Sequence, residues 1–179
     1  QVTDDTEMAL CIARAVLKNQ SWSREAIAQE FAAWLKSRPV DCGDTCRKGI
    51  RSYMLHGTLE VPYNQWDGGN GAAMRMLPVA LFSFPDTQLL KKYALEQAHL
   101  THNQALSDAA CICLGSMLHL ILQGASKSRL RREADGLIAR FPGKGAVAEH
   151  PYLMLSAHMD TVGKDRGIKP QIRDGVIYS

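Results

Sequence analysis

Up to about residue 125 the sequence is a succession of apolar stripes at helical spacing, each bounded by a capping residue or a helix breaker. A chain patterned in this way has to bury its stripes by packing helix on helix. Met8, Ile12, Ala15 and Val16 stand at i, i+4, i+7 and i+8, one buried stripe of a first helix. Ser23 is placed to cap a second, whose stripe is Ile27, Phe31, Trp34 and Leu35 and which Pro39 stops. A third runs from about Asp44 to His56, with Gly57 as its C-terminal glycine. An irregular stretch follows from Pro62 to Gly71, rich in Asn, Asp and Gly. The spacing then predicts a fourth helix through Met74, Leu77 and Leu81, a fifth capped by Asp86, and a long sixth over 104–123. No strand is expected in this part.

Near residue 125 the character changes. Residues 1–125 carry 11 basic and 12 acidic side chains, a balance of −1; residues 126–179 carry 10 and 6, a balance of +4. The switch coincides with Lys127, Arg129, Arg131 and Arg132. After this basic helical stretch, Leu137–Ala139, Tyr152–Ala157, Ile168–Ile172 and Val176–Tyr178 read as strands, with Asp174-Gly175 as a turn. The expected organisation is a helical part over 1–124, a basic junction over 125–134 and a β-rich part over 135–179.

Several function classes are disfavoured. The most apolar window, 105–123, is interrupted by Asp108 and His119, which suits a buried helix better than a membrane span. No basic region precedes an apolar stretch as in a secretory signal, so the cytoplasm is the default compartment. No aromatic residues interleave with the basic run to stack bases, so no nucleic-acid partner is expected. Five cysteines, Cys11, Cys42, Cys46, Cys111 and Cys113, match no zinc or disulfide spacing; those in helical patterns read as small hydrophobes.

Thr3-Asp4-Asp5-Thr6-Glu7 puts two carboxylates and two hydroxyls at the mouth of the first helix. Asp4 with Glu7 has the spacing of a capping box, and both charges suit the positive end of a helix dipole. The same oxygens also suit a hard divalent cation. Four segments in order bear on that choice. Thr3 to Leu10 is similar to the metal-binding segment of the ADP-ribosylglycohydrolase family. Asp41-Cys42-Gly43-Asp44-Thr45-Cys46-Arg47 resembles its Asp-x-Gly-x-Thr-x-Arg stretch. Gly69-Asn70-Gly71-Ala72-Ala73-Met74-Arg75 resembles its Gly-Asn-Gly loop, and Leu100-Thr101-His102 its Thr-His segment.

The resemblance implies a mainly all-α fold of that family, truncated at both ends, with a short C-terminal β-rich segment. It implies that Thr3, Asp4 and Asp5 hold a pair of Mg²⁺ or Mn²⁺ ions, with Asp5 and Asp41 in catalytic positions and Asp41 near the scissile bond. Gly69, Asn70 and Gly71 would approach ADP-ribose, and His102 would line the same cleft. The partner implied is an ADP-ribosylated protein or ADP-ribose, with no membrane and with the oligomeric state open. The family's acidic N-terminal segment and its C-terminal Asp-x-Asp-Thr segment have no counterpart in the sequence. Weak metal binding and impaired turnover are therefore expected. Beside these roles, the glycines also read as a turn and His102 as a residue leading into a helix.

In the last third, Leu153 to Val162 is a strand pattern ending in His158-Met159-Asp160, with His158 and Asp160 on one face. From about Asp135 the chain resembles the opening of the dinuclear zinc peptidases related to peptidase T. That resemblance implies Zn²⁺ at His158 and Asp160, without the remaining ligands. Two alternatives to a glycohydrolase thus stand: a zinc-peptidase-like fragment, or a non-catalytic protein that binds ADP-ribose.

Overall fold

The computed structural model describes residues 2–140, together with the backbone of 171–173 and 176–178. Among them are seven helices: α1 (Asp4–Asn19), α2 (Arg24–Lys36), α3 (Asp44–His56), α4 (Leu77–Ser83), α5 (Thr87–Ala98), α6 (Ala105–Leu122) and α7 (Lys127–Arg140). The described part of residues 2–125 contains no strand, and the fold is mainly all-α. The pair Gln171–Arg173 and Val176–Tyr178 is antiparallel, with Ile172 opposite Ile177. The turn at Asp174-Gly175 and the expected strand Tyr152–Ala157 lie outside the described residues.

Local chemistry sets the boundaries. The Ser23 side chain accepts from the Ala26 amide at the mouth of α2. Asp86 accepts from the amides of Gln88 and Leu89 at the mouth of α5. Gly57 closes α3 in the left-handed region at φ 69°, where a side chain would be strained. Each of these caps is legible in the sequence.

Helix α1 packs on α2 and α4, α2 on α3, and α6 on α4, α5 and α7. Their shared core holds Met8, Ile12, Ile27, Phe31, Ile50 and Leu90. Many core positions are alanine or glycine, so the backbones approach closely. At Gly49 of α3 an added Cβ would lie 2.6 Å from the Thr101 Cα and 2.7 Å from the Leu100 carbonyl oxygen. That contact presses α3 against the turn between α5 and α6. Helix α6, with a mean hydropathy of 1.8 over 18 residues, is long and apolar enough to cross a membrane by composition alone. Here two of its polar side chains are bonded into its neighbours: Asp108 meets His99 at 3.0 Å, and His119 Nε2 meets the Ala80 carbonyl at 3.0 Å.

Three expectations are corrected. The fourth helix does not include Met74: residues 71–75 form turns and α4 begins at Leu77. Pro78, which has no N–H to give, sits in the first turn where none is needed. Leu77 and Leu81, expected inside, are 53% and 54% exposed, while Val79 and Ala80 are buried; the helix is short and starts late, which rotates the stripe. Leu137–Ala139 is helix rather than strand, because α7 continues to Arg140. Three apolar residues carry no period, and no proline interrupts the helix-forming run before them. The capping box is also absent: Thr3 rather than Asp4 is the N-cap, and Glu7 accepts from the Trp34 indole at 2.7 Å instead of reaching back. Lys127, Arg129, Arg131 and Arg132 are exposed on α7, which crosses both the expected junction and the position where the β-rich part was expected to begin.

Gly49→Ala is expected to destabilise the protein by about 1–3 kcal/mol, because both opposing atoms belong to the backbone and cannot rotate aside. A denaturant-unfolding midpoint that did not move would show that the α3 contact is looser than its geometry indicates.

Candidate functional site

The mouth of α1 is built on its backbone. Thr3 is extended at φ −92° and ψ 177°, and its carbonyl accepts from the Glu7 amide at 3.1 Å. Its hydroxyl donates to Asp5 Oδ2 at 3.1 Å. Adjacent residues on a helix point about 100° apart, and Asp4 and Asp5 separate accordingly. Asp5 is half-buried at the end of an open apolar groove formed with Ala9, Leu10, Met74 and Leu77. Asp4 is only 7% exposed and turns into the fold.

Asp4 enters the neighbourhood of α3. The Gly43 amide, at the N-cap of that helix, hydrogen-bonds its carboxylate. The Asp4 carboxyl is nevertheless held above its usual range, first by burial, then by the negative charges of Asp5 and Asp41. Asp41 is exposed, and its Oδ1 accepts from the Cys42 amide at 2.7 Å. Two helix mouths thus bring Asp4 within reach of the charges of both Asp5 and Asp41. Among the described residues none of the three has an ion-pair partner, and no group of three or more His, Cys, Asp or Glu side chains is arranged to hold a metal.

The irregular loop lies beside this cluster. Thr45 of α3 donates to Asp67 at 3.4 Å, and the Asn64 amide to the Asn103 carbonyl at 3.2 Å, tying the loop at both sides. Asn70 is exposed, and its carbonyl accepts from the Met74 amide at 3.0 Å, which starts the turns before α4. Gly71 has no room for anything larger. A Cβ there would stand 2.7 Å from Cys46 Sγ and 2.8 Å from His102 Cε1, and one on Gly69 would lie 3.6 Å from His102 Nε2. Cys46 connects the two halves: Gly71 packs on its sulfur, and the Asp4 charge, after burial and opposed by Arg75, helps to hold its thiol at about 11.

His102 is 2% exposed. Its Nδ1 is 2.8 Å from Thr101 Oγ1. Burial and then the positive charge of Arg75 lower its pKa to about 3, so the ring is neutral at physiological pH. Arg75 is fully buried, and its guanidinium donates to Gln97 Oε1 at 2.6 Å, the Gln97 carbonyl at 2.8 Å and Thr101 Oγ1 at 2.8 Å.

The residues singled out in the sequence therefore fall into two adjoining groups, Thr3, Asp4, Asp5 and Asp41 in one, Gly69, Gly71 and His102 in the other, with Asn70 on the exposed rim of the loop. His158 and Asp160 lie outside the described residues. Sequence reasoning assigned no role to Arg75, Gln97 or Thr101. The signal was present: a lone cation between Met74 and Met76, and a glutamine at helical spacing from Leu90 and Ala94 on an apolar stripe.

Comparison with known proteins comes from two directions. A family model described as ADP-ribosylglycohydrolase matches residues 1–173, running through the expected junction. The chain is 49% identical over 138 residues to the ADP-ribosyl-[dinitrogen reductase] glycohydrolase of Rhodospirillum rubrum, a match covering 77% of this chain and 47% of that protein. It is 28% identical to the ADP-ribosylarginine hydrolase Tri1 of Pseudomonas putida, over 70% of this chain and 36% of the relative. The ADP-ribosylhydrolase ARH3 of Gallus gallus is 30% identical, over 68% and 35%. The chain spans about half or less of the length of these relatives.

The neutral His102 has a consequence for stability. An unfolded imidazole titrates near 6.5 and this one near 3, so on acidification the unfolded chain takes up the proton first. The residue favours the folded state fully above pH 6.5, and that contribution is lost as pH falls toward 3, by at most about 1.4 kcal/mol per pH unit. The unfolding midpoint of the native protein should therefore fall more steeply between pH 6.5 and 4.5 than that of His102→Gln. Equal slopes would mean that His102 titrates as if exposed.

Proposed function

The chain belongs to the ADP-ribosylglycohydrolase family, and on that footing we propose that it acts in the hydrolytic removal of ADP-ribose from a modified protein side chain. The observation that carries the reading is the buried Asp4 carboxyl, set between the negative charges of Asp5 and Asp41, beside a glycine loop too tight for any side chain at Gly71. The relatives named for dinitrogen reductase and for ADP-ribosylarginine make arginine-linked ADP-ribose the first substrate to test.

The donor set suits Mg²⁺ or Mn²⁺ in its chemistry. Carboxylate and hydroxyl oxygens are the ligands such ions prefer, and the Asp4 carboxyl, raised first by burial and then by the charges of Asp5 and Asp41, is one that a nearby cation would favour in its charged form. Thr3, Asp4 and Asp5 would hold the metal. With no larger cluster among the described residues, most remaining positions would be left to water, so weak binding and low turnover are expected. A bound ion supplies Lewis-acid polarisation of the ribose oxygens and stabilises negative charge.

The chain's own residues supply the rest. Asp41, exposed beside the buried Asp4, would take a proton from the water that attacks the ribose carbon as the carbon–nitrogen bond breaks, and return that proton to the departing side-chain nitrogen. Gly69 and Gly71 let backbone N–H groups come close to the diphosphate, which side chains would prevent. His102 contributes a neutral ring to the loop's inner wall, so no imidazolium competes with the cation.

The test joins Mn²⁺ calorimetry to ADP-ribose release from ADP-ribosylarginine. Asp4→Asn and Asp5→Asn should weaken Mn²⁺ binding. Asp41→Asn should lower turnover by about 10²-fold or more while leaving metal affinity nearly unchanged; the opposite ranking would refute its assigned role. Saturable binding of ADP-ribose without any release would turn the reading to a binding module.

A further inference from the structure

Arg75 presents an unusual problem in acid–base partnership. Its guanidinium is completely buried, yet among the described residues its partners include no carboxylate. A guanidinium only donates, so the Thr101 oxygen 2.8 Å from Nη2 must accept. Thr101 is itself buried, and its one hydroxyl proton has to go elsewhere. The other partner that oxygen meets among the described residues is His102 Nδ1, also at 2.8 Å. Gly49 holds this turn from below, with the Thr101 methyl 3.0 Å from where its Cβ would be. The Thr101 methyl thus packs toward α3 while its hydroxyl faces Arg75 and His102.

From these contacts we propose that Arg75 acts through the Thr101 hydroxyl to lock His102 in the Nε2–H tautomer, making it a one-way hydrogen-bond donor to an acceptor oxygen of a ligand on the Gly69–Gly71 loop. Arg75 and Thr101 are positioning residues. The steps follow from donor inventory: guanidinium N–H to Thr101 Oγ1, Thr101 O–H to Nδ1, and hence the ring proton on Nε2. That nitrogen faces the loop, 3.0 Å from the point a Gly71 Cβ would take and 3.6 Å from that of Gly69. Burial, and after it the nearby cation, disfavours a second ring proton, so the charge that orients the donor also helps to keep the ring neutral. A fixed donor beside backbone amides fits a phosphate or ribose oxygen and has nothing to accept from a cationic ligand. The choice of ADP-ribose as the ligand rests on the function proposed above; the tautomer does not.

The test uses the full chain with ¹⁵N-labelled histidine and long-range ¹H–¹⁵N correlation, which separates the two tautomers by their nitrogen shifts. The native protein and Thr101→Ser, which keeps the hydroxyl, should show His102 protonated at Nε2. Thr101→Val, close in shape but without the hydroxyl, should show Nδ1–H or a mixture. ADP-ribose titrated into the same samples should bind about tenfold more weakly to Thr101→Val and nearly as well to Thr101→Ser as to the native chain. An Nδ1–H ring in the native protein overturns the proposal even if Thr101→Val does not fold, and so does a Thr101→Val ring that stays Nε2–H. If the native chain binds no ADP-ribose while the tautomers fall as expected, the ligand reading fails and the relay stands.

Discussion

A single buried guanidinium organises this structure. Arg75 follows the glycine loop and reaches across the fold to bond Gln97 at the end of α5 and Thr101 in the next turn. It stacks over the Phe31 ring of α2 at 4.5 Å, and its Nη1 lies against Met8 of α1 and Cys46 of α3. Four of the helices are therefore gathered around one charge. Burying an ion so deeply is tolerable only when its donors are met. Here neutral oxygens meet them, polarisable sulfur takes the remaining face, and the aromatic ring adds about 2 kcal/mol for a desolvated cation. Gln97 is satisfied in turn, giving its amide to the Ala72 carbonyl at 3.0 Å. A carboxylate in place of these neutral acceptors would have cancelled the field that Arg75 projects on His102 and Cys46.

That field separates the site into two electrical regions. On one side Asp4 lies at the positive ends of α1 and α3 within the field of Asp5 and Asp41, and the Gly43 and Asp5 amides partly offset that repulsion. On the other, burial and then the cation behind His102 keep the ring neutral, which favours oxygen acceptors on the loop. Cys46 stands between them, its thiol pushed up to about 11 and inert as a nucleophile. The arrangement attracts a divalent cation at one end and a ligand's oxygens at the other, with only a glycine loop between. Small residues make this proximity available, because Gly71 and Gly49 allow backbones and side chains to meet at distances a Cβ would forbid.

Much of the helical frame was legible from local chemistry. Ser23, Gly57 and Asp86 act where their side chains, or the lack of one, said they would. The failures share a cause. Leu77 and Leu81 have a buried spacing but face outward, because the turns after Gly71 delay α4. Leu137–Ala139 is too short to show a period of its own and continues α7. The Asp4–Glu7 spacing suited a cap, but Trp34, distant in sequence, offered Glu7 a better partner.

The sequence alone determined most of the helices, the caps at Ser23, Gly57 and Asp86, and the family, since each rests on residues a few positions apart or on ordered motifs. It also placed carboxylates at a helix mouth and glycines in a loop. Only the tertiary structure decided that Asp4 turns inward toward Asp41 while Asp5 turns to a groove. Only it decided that Arg75, in a run of alanines and methionines, finds its acceptors 22 and 26 residues further on. The physical reason is that periodicity records which face of an element is apolar, whereas the partner of a buried charge is set by how separate elements pack.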